Sequence, residues 1–218
     1  MIKAVLLLLE PLRTWEQIAL AQRSVKVIFL SYVLPLLLVT SVAEAWGMMR
    51  WGDWRGEVVA IKKFDLPEAV GFQMVQLAVN LTLLFLGAKM LKNLGETFHG
   101  RHTYPQAFTA VAYGLGPFWT LRLLDAFPSV NPWATYALGI ILTAVVLYNG
   151  IPRVMMPDPP QAFGLYIMGS LLLALTAGLG RFLVIWLQQG RFQNFENQLT
   201  SVVSTLLPAA LRHWPAGQ

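Results

Sequence analysis

Residues 70–91 read VGFQMVQLAVNLTLLFLGAKML, a stretch of 22 residues whose only formal charge is Lys89. A helix needs about 20 mostly apolar residues to cross a hydrocarbon core, so this stretch alone predicts a membrane span. Within it Gln73, Gln76 and Asn80 recur at spacings of three and four, and Gly87 falls on the same helical face. Amides in lipid need partners, so that face should point into a bundle of helices. Asp65, Pro67 and Glu68 precede the stretch in the order of a capping box with proline in the first turn.

The remainder of the chain extends this reading. Of its 218 residues 56% are hydrophobic and only 12% charged, and the mean hydropathy is +0.55. A water-facing surface normally requires about 25% charged residues, so the chain is expected to be an integral membrane protein. Four further apolar segments accompany the first: Val25–Ala43, Ala107–Leu124, Trp133–Ile151 and Ala162–Leu187. Arg122 and Asp125 cut the Ala107 segment short, and their i,i+3 spacing predicts a mutual pair at the membrane edge. Trp46, Trp51, Trp54, Trp119, Trp133 and Trp186 lie near span ends, where amphipathic rings favour the interface. Ala110/Gly114, Ala112/Gly116 and Ala174/Gly178 are small-residue pairs that let helices approach closely. The fold class is therefore all-α, a polytopic transmembrane bundle of about five spans.

The chain ends read as amphipathic. After Pro11, residues Leu12, Trp15, Ile18 and Ala19 share a face opposite Arg13, Glu16 and Gln17. Phe195, Leu199, Val202, Val203 and Leu206 form a second stripe. Both are expected to lie in the interface plane, with bundle capping the alternative for the second. Three regions follow: an N-terminal interfacial segment 1–24, a five-span domain 25–190 and an amphipathic tail 191–218. The short AVLLLL run after Lys3 is too brief for a signal-peptide core and is read as retained. Eight Lys/Arg fall on each side of five spans, so charge leaves the orientation open.

Candidate chemistry is sparse. Glu96 and His99 have E-x-x-H spacing, with His102 three residues on, but the chain offers no second copy and no acid within these five spans. No H-E-x-x-H, G-x-S-x-G or intramembrane aspartate pair occurs. Without cysteine, thiolate ligands and nucleophiles are excluded. No metal, cofactor or catalytic residue is expected, and the modest net charge of +5 points to anionic lipid rather than nucleic acid. Lys89, Lys92 and Arg101 are expected to face headgroups. Thr103, Pro105 and Gln106 are expected to start the next helix as a capping box.

Three motifs carry a resemblance. They are P-L-x-T-W-E-Q-I at 11–18, F-x-G-R-x-T-Y-x-Q-A-F-x-x-x-A-Y-x-x-x-P at 98–117, and L-Y-N-G-I-P at 147–152. Their order resembles bacterial members of the Yip family, five-span membrane proteins related to the eukaryotic Rab-interacting Yip proteins. The sharpest matches are Gly100, Ala112, Tyr113 and Pro117, then Tyr148 and Gly150; Gly116 joins them as a packing position. The resemblance covers roughly residues 11–190 and implies a cytosolic N-terminus, an external C-terminus and residence in a bacterial cytoplasmic membrane. In eukaryotes the family is linked to vesicle trafficking, membrane shaping and prenylated Rab GTPases. Only about 24 residues precede the first span here, so Rab binding is not carried over. The expected function is non-enzymatic membrane organisation through helix packing, lipids, and membrane-protein partners or a second copy. The alternative is a channel or carrier lined by Gln73, Gln76 and Asn80.

Overall fold

A computed structural model describes residues 2–55, 60–97, 102–157, 159–188 and 192–206. Two short helices, α1 (Ile2–Leu9) and α2 (Pro11–Ala21), are followed by a first pass, Val25–Arg50. Pro35 has no N–H to donate, and the turn before it widens to π geometry over Phe29–Val33. This pass runs seven residues beyond the expected Ala43. Glu44 does not stop it, because its carboxylate is neutralised inside the bundle.

A small antiparallel hairpin pairs Asp53–Arg55 with Ala60–Lys62 before the second pass, Leu66–Thr97. At about 1.5 Å per residue its 32 residues exceed the roughly 30 Å hydrocarbon core and project beyond it. Asp65 N donates to the Glu68 carboxylate at 3.4 Å, the backbone half of the expected capping box.

The third pass is the irregular one. It was expected as one helix over Ala107–Leu124, but it is built from helix Tyr104–Gly114, helix Gly116–Leu121 and a 3-10 turn, Arg122–Ala126. Pro117 cannot donate to the carbonyl four residues back, which breaks the ladder at Leu115. The Thr103–Gln106 capping box starts it, with Thr103 N donating to Gln106 Oε1 at 2.9 Å. The fourth pass is Pro132–Val154 and the fifth Pro159–Gln188.

Contacts at the two ends fix the topology. His102, just before the third pass, packs on Gly95 near the end of the second, and Ala126, at its close, packs on Gly47 of the first. The broken segment therefore traverses the bundle from one end to the other. Four passes are helices long and apolar enough to cross a membrane, and the interrupted third makes a fifth traverse. The all-α reading holds, with the small hairpin as an addition.

The N-terminal helices do more than lie at an interface. Leu7, Trp15 and Ile18 are buried in the main core, with residues of the first four passes around them. The buried face of α2 is Thr14, Trp15 and Ile18, whereas Leu12 points outward. At the other chain end helix Gln193–Leu206 docks on the second pass, Leu199 and Val203 lying against Gly71. Phe195, Val202 and Leu206 of that helix stay exposed.

Candidate functional site

Two constellations hold the polar side chains, one at each end of the bundle. The first contains the amide stripe. Gln73, Gln76 and Asn80 are all buried, Gln76 to 2% exposure. Gln76 Nε2 donates to the Glu44 carboxylate at 3.0 Å, and Arg122 Nη2 meets the same carboxylate at 2.6 Å. Asn80 Nδ2 donates to the Gln76 carbonyl at 2.7 Å and its Oδ1 accepts from Trp119 Nε1 at 2.9 Å. Among the described residues Gln73 reaches only Met48 Sδ, at 3.8 Å.

A second ion pair continues the network. Arg181 Nη2 donates to Asp125 Oδ2 at 2.7 Å, and Thr135 donates to Asp125 Oδ1 at 2.6 Å. All four charged side chains are 8% exposed or less. A charge in lipid is stable when paired inside the bundle. Here Glu44 comes from the first pass, the amides from the second, Arg122 and Asp125 from the third, Thr135 from the fourth and Arg181 from the fifth. The network thus ties every pass together at one end.

This geometry corrects three expectations. Arg122 and Asp125 do not pair with each other, because the 3-10 turn sends them to opposite neighbours, Glu44 and Arg181. Trp119 is not an interface ring but a fully buried donor to Asn80. An acid does sit within the passes, since the first pass carries Glu44 past the point where the apolar run ends. Glu44 and Arg181 were missed as site residues; the signal was opposite charges flanking or interrupting apolar runs.

Residual space in the network is small. One void of about 20 Å³ lies among Gln76, Asn80, Arg122 and Arg181, and another of about 10 Å³ among Arg122, Asp125, Thr135 and Arg181. Arg122 Nε and Nη1, Arg181 Nε, and Oε1 of Gln73 and Gln76 find no partner among the described residues. A single water needs about 10–15 Å³ and two or more polar partners, so these voids suit isolated waters rather than a solute.

At the opposite end the three sequence motifs meet. Trp15 Nε1 donates to the Val146 carbonyl at 2.9 Å, and its ring lies directly on Gly150. A side chain at Gly150 would occupy the place of the indole. Tyr113 sits edge-on to Trp15, with ring centres 6.3 Å apart, and against Tyr32 at 4.4 Å. Lys3 Nζ lies 5.8 Å from the Tyr113 ring centre. Ala112, Gly116 and Pro117 are buried along the same pass. Tyr148 alone turns outward, its ring meeting Tyr166 at 5.2 Å.

The basic loop is less open than expected. His102 is buried against Gly95, its Nε2 without a partner among the described residues. Lys92 pairs with Glu96 at 2.8 Å. Gly100, His99 and Arg101 lie outside the described residues. No group of three or more His, Asp or Glu that could hold a metal occurs among the described residues.

A family model, the Yip1 domain, matches residues 5–182. Searches of curated proteins and of solved structures return no significant match. The matched span begins within α1 and closes in the fifth pass, enclosing both the Trp15–Tyr113–Gly150 junction and the ion-pair network. The chain is an integral membrane protein that belongs to the Yip family.

Proposed function

We propose that this chain is a non-catalytic membrane organiser, acting through lipid contacts and protein partners rather than through turnover. The observation that carries the reading is the N-terminal helix pair. Trp15 anchors it in the bundle, while Leu9, Leu12 and Leu20 remain exposed on its outer side. A rigidly held apolar ridge beside the pass ends adds volume to one leaflet, as amphipathic helices do. The Yip family is not an enzyme family, which favours the same reading.

The proposed location is a bacterial cytoplasmic membrane with the N-terminus cytosolic, as the family resemblance implies. Charge agrees once the two arginines buried inside the bundle are left out of the count. Arg122 and Arg181 are buried with carboxylates, so eight Lys/Arg near the N-terminal side face six opposite.

The carrier reading needs a path along Gln73, Gln76 and Asn80. Those amides are engaged around Glu44 and Trp119, and the space beside them is about 20 Å³. The organiser reading is preferred on that ground.

The test is reconstitution of the full chain in vesicles, wild type against Leu9→Ser/Leu12→Ser/Leu20→Ser. Deleting residues 1–22 would remove core side chains, whereas these three leucines are exposed. Wild type is expected to change vesicle diameter and lipid order, and the triple variant to do so much less. Equal reshaping by both proteins sinks the ridge mechanism. Solute flux that disappears in Gln73→Leu/Gln76→Leu/Asn80→Leu without unfolding would favour the carrier.

A further inference from the structure

A cleft of about 290 Å³ opens at the end of the bundle where the first pass begins. Gln22 and Arg23 line it from the link after α2, Thr103 from the start of the third pass, and Arg153 from the last turn of the fourth. Ile18 and Val154 contribute apolar wall, and no carboxylate lines it among the described residues. These residues stand where three passes end, so the cleft opens at headgroup depth.

Its charge is unbalanced. Arg23 is exposed and has no ion-pair partner among the described residues. Arg153 Nη1 donates to the Asn149 carbonyl at 2.9 Å, which leaves further guanidinium N–H groups for a ligand. Lys3 lies close by, held below the usual lysine range first by burial and then by the Arg23 charge. An anion placed among these groups relieves a like-charge repulsion that the described residues leave uncompensated.

We propose that this cleft binds the phosphodiester headgroup of an anionic phospholipid between Arg23 and Arg153. Guanidinium groups match phosphate oxygens in charge and in bidentate geometry. Basic pockets between membrane helices recognise anionic headgroups in this way. The apolar wall accommodates the glycerol and the first acyl carbons beside the phosphate. The proposal rests on the reading of the chain as a membrane protein that works through lipid contacts. It does not depend on bilayer reshaping, so an indifferent vesicle shape leaves it standing.

The test follows thermal unfolding of the full chain in phosphatidylcholine micelles as phosphatidylglycerol is added. Phosphatidylglycerol is expected to raise the unfolding temperature. In Arg23→Gln/Arg153→Gln the concentration for half the effect should rise at least about tenfold, as loss of a charge-assisted hydrogen bond predicts. Arg13→Gln, an exposed position outside the lining, should respond as wild type. Because the Arg23 side chain is exposed, Arg23→Gln alone folds and gives the answer if the double variant does not. An unchanged titration in Arg23→Gln and the double variant overturns the proposal. So does equal stabilisation by soluble glycerol 3-phosphate, which would mark a site for a free anion instead.

Discussion

Trp15 is the residue on which the N-terminal half of the motif set acts. Its indole combines a large buried surface with a hydrogen bond to a fourth-pass carbonyl. Trp15→Ala is expected to cost about 3–5 kcal/mol from the cavity, and Trp15→Phe about 1 kcal/mol from the lost donor. Denaturant unfolding in micelles separates the two. Gly150→Val should displace the indole and behave like Trp15→Ala, since the new side chain takes the ring's place. Glu44 poses the opposite problem, a charge whose value depends on its partner. Glu44→Leu should cost about 3–5 kcal/mol because Arg122 is left buried and unpaired, while Glu44→Leu/Arg122→Leu should recover much of that loss. A double-mutant cycle on unfolding free energy checks the coupling; strict additivity would show that the pair does not interact.

Among the elements, the third pass had the least predictable shape. Its start was legible, because Thr103, Pro105 and Gln106 are local signals and the capping box forms between them. Thr103→Ala should cost about 1 kcal/mol, read as a lower unfolding temperature. Its interruption is legible only as Pro117, which lacks the N–H that a continuous helix needs. The break follows from Pro117, but no local signal accounts for the 3-10 turn after it. That geometry is imposed by the need to aim Arg122 at one neighbour and Asp125 at another. The N-terminal helix shows the same limit. Periodicity identified an apolar face, but whether that face meets lipid or protein depends on a fourth pass that begins more than a hundred residues later.

For the whole molecule, five crossings are the expected arrangement, and the interrupted third pass is the one to test. The absence of native cysteine makes this simple to measure. Single cysteines at Thr97 and Ser129, which flank the third pass and are both exposed, should label from opposite faces of a sealed vesicle with a membrane-impermeant maleimide. Labelling from the same face would remove the third pass as a crossing. Residues 70–91 and the four other apolar runs determined the all-α membrane bundle on their own, because hydropathy over about 20 residues is a local property. The motif order likewise carried the family. What the charged and amide side chains do was decided only by the tertiary structure. Glu44 and Arg122 are 78 residues apart, Asp125 and Arg181 56, and Trp15 and Val146 131. Local sequence can show that a polar group in an apolar run needs a partner. Which partner it finds depends on how the passes pack.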